Sequence, residues 1–371
     1  MNIFDALNIF YREDTISDFL INCFRNSKEF LIRFLIEANI KVPGDSIFEI
    51  KGRVGLGKSI GTPDIVILAK SDSSIHFIIV ENKMGAAEGH EQTNRYESEE
   101  AKKRFVKKYG IDKEKMDNIE FHFVFLALDT TAKPKNSQFT FLNYDRFLVG
   151  EWSLNEETLQ VIFRDFQNKL QSFYKPLMEP LNTLQSDIGL EPIQRKICWQ
   201  SILFAAFSQY PELLLDWGEV GGAGRNNFLF LISKPNWTSE QSYHDVGLAQ
   251  TFNIHIDTYI NMLDTRGSNG VDEIGIRFES FPYTPHSKID NLNGYQKFKE
   301  KKDIFGEKLF KAAKQNGIVA KRKNTKLLVM TIPIHAPTIR DTVQNMIKKV
   351  RAIEECIDKV LIDMKSEDLI K

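Results

Sequence analysis

Cysteine is scarce. The three present, Cys23, Cys198 and Cys356, lie far apart in 371 residues. Neither a disulfide framework nor a CxxC zinc site can be built from them, and buried thiols are expected. Long hydrophobic runs are also missing. The stretches Phe121 to Leu128 and Leu327 to Ile332 fall far short of the about 18 apolar residues that a membrane helix needs, so a soluble protein with no membrane partner is expected. The segment Met1 to Tyr11 carries Asp5 and has no basic start followed by an apolar core and a small-residue cleavage site, which makes a cytoplasmic location the expectation. The seven histidines show neither HxH nor HExxH spacing, so the pattern predicts no zinc site. An excess of one charge sign is absent as well, the formal net charge being −1. It hides a local imbalance: residues 297–326 hold eleven Lys or Arg against three Asp or Glu. That stretch reads either as a solvated helix face or as a surface that contacts phosphates.

What is present describes a globular chain. Hydrophobic residues make up 42% and charged residues 27%, enough to build a sizeable core and too many apolar groups for disorder. The length suggests two domains. From Asp14 to Ala38 the apolar residues Ile16, Phe19, Leu20, Cys23, Phe24, Phe30, Leu31, Phe34 and Leu35 recur at steps of three and four, which predicts a helix. The period then shortens. Ile47 to Lys51, Asp64 to Ala69 and Ile75 to Asn82 read as strands, with Ser71 to Ser74 as the turn joining the last two. A charged helix is expected from Gly89 to Tyr109, a strongly apolar strand from Ile119 to Asp129, and a short strand near Phe139 to Asn143. Helical spacing returns over Leu154 to Leu184 and Gln194 to Tyr210. The Gly-rich run Gly218 to Gly224 is followed by the apolar Asn227 to Ile232, and strands are expected at Thr251 to Asp257, Glu273 to Phe281 and Lys326 to Pro333. Helices are expected near Tyr295 to Asn316 and Ile339 to Met364. The domain reading is 1–150, a helical connector 151–190, and an α+β domain 191–371 that binds DNA or docks a partner. Tyr11 and the four tryptophans read as core or interface aromatics.

The informative segment is Thr62-Pro63-Asp64-Ile65-Val66-Ile67-Leu68, a turn, and then Phe77-Ile78-Ile79-Val80-Glu81-Asn82-Lys83. Two neighbouring strands joined by a short turn would set Asp64 and Glu81 at comparable levels of a sheet. Paired carboxylates beside open coordination positions suit Mg²⁺, with Mn²⁺ as a substitute, because these ions keep water and substrate phosphate as further ligands. Lys83 is two residues beyond Glu81 and so leaves the strand on the same face, where it could orient water and stabilise charge on a phosphate.

Pro63-Asp64 followed by Glu81-Asn82-Lys83 resembles the PD-(D/E)XK nuclease superfamily, over about residues 10–145. The order helix, three strands, helix, strand agrees with that family's core, and the resemblance implies an α/β, restriction-endonuclease-like fold in which the three strands are antiparallel. Gln92 and Tyr96 resemble the family's QxxxY signature, in which Gln supports the site; read without the family, both are surface positions on a charged helix. Glu13 resembles the further acidic metal ligand of many members, yet an acidic residue at a helix start is also ordinary charge placement. The resemblance implies a Mg²⁺-dependent deoxyribonuclease with Asp64, Glu81, Lys83 and Gln92 in catalysis and Glu13, Asp64 and Glu81 at the metal. DNA is the implied partner. A homodimer, or an ATPase or sensor subunit of a bacterial antiphage defence complex, is a further implied partner. The high Lys, Asn, Ile and Phe content is compatible with a bacterial origin.

A competing pattern overlaps this one. Gly52-Arg53-Val54-Gly55-Leu56-Gly57-Lys58-Ser59 fits the phosphate-binding loop GxxxxGK[ST], which works by feeding a strand into a helix whose amides cradle phosphate. Here Gly61 and Pro63 occupy the first turns of any such helix. The preferred reading is a flexible Gly-rich hairpin beside the active site, with Arg53, Lys58 and Tyr96 as candidate DNA contacts. The rival functions are a catalytically silent scaffold and a nucleotide switch.

Overall fold

The computed structural model describes residues 2–86, 88–89, 91–111, 118–186, 189–220, 227–261, 271–323 and 328–370. It is a mixed α/β protein with one five-stranded and one six-stranded sheet, divided into two compact units, Met1–Met178 and Glu179–Lys371.

In the first unit α1 (Ile3–Ala6), α2 (Glu13–Asn26) and α3 (Lys28–Glu37) precede β1 (Ile47–Gly52), β2 (Ile65–Lys70) and β3 (Ile75–Lys83). Then come α4 (Gln92–Glu97), α5 (Glu99–Lys108), β4 (Ile119–Ala127), β5 (Phe139–Asn143) and α6 (Glu157–Tyr174). The sheet order is β1-β2-β3-β4-β5. The pairs β1/β2 and β2/β3 are antiparallel, whereas β3/β4 and β4/β5 are parallel. Every residue of β3 is buried, as expected for a central strand covered on both faces.

Two expected helices are each broken by a serine. Ser27 is extended and its side chain accepts from the Phe30 amide, starting α3 afresh; Ser98 does the same for Ala101 at α5. Apolar periodicity continues across both breaks, but a serine hydroxyl supplies the cap that a new helix start needs. The connector expected at 151–190 is not a separate piece either. Helix α6 packs into the first unit through Phe163, whose ring lies 4.9 Å from Phe30, and Phe166, 5.2 Å from Phe4. Tyr174 also donates a hydrogen bond to Leu128 O at 2.8 Å, so α6 belongs to the first unit and the division falls after Met178, within the span 151–190 read as the connector.

The second unit holds α7 (Pro180–Ser186), α8 (Pro192–Phe207), β6 (Leu214–Val220), β7 (Asn227–Ser233), α9 (Tyr243–Val246) and β8 (Asn253–Asn261). It continues with β9 (Glu273–Glu279), α10 (His286–Ile289), α11 (Tyr295–Gln315), β10 (Lys321–Arg322), β11 (Met330–Pro333) and α12 (Ile339–Ser366). Its strands are all antiparallel in the order β10-β11-β9-β8-β7-β6. Strand β6 was not expected, because its sequence runs into glycines; it pairs with β7 from Leu214↔Ser233 to Val220↔Asn227. Parts of the Gly-rich run 218–224 and of the strand expected at 326–333 lie outside the described residues. All three cysteines are buried, and among the described residues no helix is long and apolar enough to cross a membrane.

Candidate active site

The site forms where β2 begins and β3 ends. The antiparallel register pairs Ile65 with Val80, so the next pair outward is Asp64 with Glu81. Directly paired residues share a face, as do residues two apart on one strand. Asp64, Glu81 and Lys83 therefore occupy the same face, and Asn82 points to the other. Asp64 Oδ2 accepts the Asn82 backbone N–H at 2.7 Å, which fixes the start of β2 to the end of β3.

Asn82 works on the opposite face. Its amide donates to Ser17 Oγ at 2.9 Å and to the Glu13 carbonyl at 3.1 Å, while its oxygen accepts from Tyr144 Oη at 2.7 Å. This buried network docks the first turn of α2 on β3. Glu13 is thereby carried to the strand end, where its Oε1 accepts the Met84 amide at 3.0 Å and its Oε2 lies 3.7 Å from Lys83 Nζ. Sequence reasoning passed over Asn82, Ser17 and Tyr144. For Asn82 the signal was available in strand alternation; the other two required the helix packing.

Glu81 is 1% exposed. Its Oε1 accepts from Lys83 Nζ and from Gln92 Nε2, each at 2.6 Å, and its buried Oε2 has no hydrogen-bond partner among the described residues. Burial, reinforced by the charge of Asp64, pushes the Glu81 carboxyl up to about 8 against the pull of Lys83. Burial likewise raises Asp64 to about 6, opposed by the Asn82 N–H and Lys83. Burial lowers the Lys83 pKa, but the charges of Glu81, Glu13 and Asp64 outweigh it and the net direction is upward, so the ammonium is retained.

Gln92 is held at three points. Besides donating to Glu81 it donates to Tyr96 Oη at 3.2 Å, and its oxygen accepts the Gly89 amide at 3.1 Å. Tyr96 is 1% exposed, which corrects the expectation that it touches DNA: it lies beneath the site and braces Gln92. Glu88 steadies the start of α4, with Oε1 accepting from the Thr93 amide and hydroxyl.

The loop 53–64 is neither a phosphate-binding loop nor a flexible hairpin. No helix follows Lys58 and Ser59. Val54, Leu56 and Ile60 belong to the buried core with Tyr96 and Phe105, and the loop closes on itself through Leu56 N to Gly61 O and Gly61 N to Gly57 O. Gly61 has φ +108, and a Cβ there would lie 3.4 Å from Tyr96 Oη, which favours glycine. Arg53 does not stand free for phosphate, because its guanidinium grips Asp18 at 2.7 and 2.9 Å. Lys58 is exposed.

In the second unit the basic stretch is only in part a solvated helix face. Lys297, Lys299, Lys311 and Lys314 are exposed along α11. Others are engaged: Lys301 donates to the Ala249 carbonyl, and Lys308, Arg322 and Lys323 pair with Glu367, Glu307 and Glu273. Trp152, Trp199 and Trp237 are core residues.

Asp64 and Glu81 share a face and offer the hard oxygens that a divalent cation takes, and Glu81 Oε2, buried and without a hydrogen-bond partner among the described residues, is an acceptor whose desolvation no described group offsets. Comparison with known proteins gives no match to any family model, curated protein or solved structure.

Proposed function

We propose that the first unit is a Mg²⁺- or Mn²⁺-dependent nuclease of the PD-(D/E)XK type that hydrolyses phosphodiester bonds in DNA. The observation that carries this reading is the grouping of Asp64, Glu81 and Lys83 on one face at the end of β3, with the Glu81 oxygen Oε2 buried and unpartnered. The antiparallel β1-β2-β3 followed by parallel β4 supports assigning the restriction-endonuclease-like core.

Asp64 and Glu81 would hold the ion, with Glu13, whose Oε2 lies 3.7 Å from Lys83 Nζ, as a further carboxylate at the strand end. Bound there, a divalent cation supplies stabilisation of the charge that builds on phosphate oxygens and lowers the pKa of water. The protein's own groups do the rest. Lys83, kept protonated among acidic neighbours, places a positive charge where the phosphate charge develops and can donate a hydrogen bond to a phosphate oxygen or to the attacking water. Gln92 fixes the rotamer of Glu81, so that Oε2 stays aimed away from Oε1 and its two donors. Asn82 and Tyr144 hold α2, and hence Glu13, at the strand end. Pre-set positions of this kind lower the barrier because little reorganises during reaction.

The test is incubation of the full chain with supercoiled plasmid and linear duplex in Mg²⁺, Mn²⁺ or EDTA. Metal-dependent nicking or linearisation is expected. A folded chain that binds no divalent ion would overturn the reading.

A further inference from the structure

The geometry points to a second metal site, at the other end of β3, where His76 Nδ1, His122 Nε2 and a Glu120 carboxylate oxygen would hold a borderline divalent transition ion such as Zn²⁺. It stands independently of the nuclease reading. The parallel register sets His76 opposite Glu120 and Ile78 opposite His122. Glu120 and His122, two residues apart, share a face of β4, and that face is the one His76 uses on β3. The three side chains thus converge although 44 residues separate His76 from Glu120. Histidine spacing along the chain, which predicts no zinc site, does not register this convergence.

The distances have the shape of a coordination triangle. His76 Nδ1 and His122 Nε2 are 3.1 Å apart. Glu120 Oε2 lies 3.5 Å from the first and 3.6 Å from the second. Nitrogen and oxygen ligands about 2.0–2.1 Å from a tetrahedral ion lie about 3.3–3.4 Å from one another, so the three atoms need to move by only a few tenths of an ångström. A pair of imidazoles with one carboxylate is a ligand set that suits Zn²⁺ and its neighbours better than Mg²⁺, which prefers oxygen alone.

The surroundings are those of a ligand already oriented. His76 is 4% exposed, and its other nitrogen, Nε2, is 2.8 Å from Ser74 Oγ. The His76 tautomer that gives this N–H to the serine leaves the Nδ1 lone pair to accept the His122 Nε2 N–H in the metal-free chain and to face an ion in the loaded one. Such a hydrogen bond to the far nitrogen is the usual device that fixes the tautomer and ring direction of a metal-bound histidine. The two ring planes are nearly parallel, 13° apart with centroids 5.4 Å from each other, so the rings meet edge to edge through the facing nitrogens. The Glu120 side chain is 62% exposed, which leaves the remaining coordination position to water. His76 and Glu81 are five residues apart on β3, about 16 Å of strand, so the two sites bind separate ions.

The experiment uses the full chain, stripped with EDTA and then titrated with Zn²⁺ by calorimetry in excess Mg²⁺. The Asp64→Ala/Glu81→Gln double variant is titrated beside it. One equivalent of Zn²⁺ is expected in both, with a rise in melting temperature that grows with Zn²⁺ concentration. His122→Ala and Glu120→Gln, each checked for an unchanged circular dichroism spectrum, should weaken binding by at least about tenfold. Co²⁺ in place of Zn²⁺ should give the strong visible absorption of a four-coordinate ion, lost in His122→Ala. Absence of Zn²⁺ uptake by the Asp64→Ala/Glu81→Gln variant would overturn the proposal, as would equal uptake by His122→Ala and the unaltered chain. Neither result depends on whether DNA is cleaved.

Discussion

Gln92 Nε2 donates to Glu81 Oε1 at 2.6 Å, on the same oxygen that accepts from Lys83. One carboxylate oxygen is thus fixed by two donors while the other is without a partner among the described residues. Gln92→Ala removes one of those donors and leaves the residues proposed to hold the ion intact. The expected result is a fall of about 10–100-fold in Mg²⁺ affinity or cleavage rate with little loss of stability. Tyr96→Phe, which removes an acceptor of the Gln92 amide, should give a smaller fall. Metal titration and single-turnover cleavage measure both.

Tyr144→Phe tests how α2 is docked. It deletes the donor to Asn82 Oδ1 in a buried setting, leaving an acceptor unsatisfied, and should cost about 1–3 kcal/mol. For a unit of this size that is a drop in melting temperature on the order of 5 °C. Differential scanning calorimetry reads it. An unchanged melting temperature would mean that the network does not hold the helix.

The raised Glu81 pKa has a consequence for the metal-free chain. Because the folded value, about 8, lies above the ordinary 4.5, the folded state favours the protonated carboxyl. That contribution to stability is complete below pH 4.5 and is lost as pH rises through about 8. Asp64, raised to about 6, acts in the same direction at lower pH. Glu81→Gln keeps an acceptor for Lys83 and Gln92 but cannot ionise. In EDTA at pH 9 it should be more stable than the unaltered chain by on the order of 2–3 kcal/mol, with the difference shrinking towards pH 5. Urea unfolding across this range checks the slope.

Lys58 is exposed beside a loop that no helix follows. Lys58→Ala should weaken duplex binding about equally for all sequences and lower the salt slope by about one, while ATP and GTP bind neither form. Saturable nucleotide binding abolished by Lys58→Ala would restore the phosphate-loop reading. Arg53→Ala should affect DNA binding less, since its guanidinium is already committed to Asp18.

The legible part of the fold was the part written in local periodicity. Strands β1 to β5 could be read because apolar alternation and turn residues mark them, and Asp64, Glu81 and Lys83 followed from their places at strand ends. Ser27 and Ser98 hid helix breaks because a capping side chain does not disturb the apolar period. Strand β6 was hidden by Gly218 within it and the glycines that follow it, its pairing with β7 being decided by the partner strand. Arg53 read as a free cation until α2 brought Asp18 to it. His76, Glu120 and His122 were beyond reach for a further reason. Their meeting depends on the parallel register of β3 and β4 across an intervening helical crossover, and no short spacing encodes that register.

The most direct test of the central claim is cleavage of supercoiled plasmid in Mg²⁺ or Mn²⁺ by the unaltered chain, Asp64→Ala and Lys83→Ala, with folding of each verified by circular dichroism. Nicking or linearisation by the unaltered chain is expected, abolished by EDTA and lost in both variants. Cleavage that persists in Asp64→Ala and Lys83→Ala at the rate of the unaltered chain would contradict it.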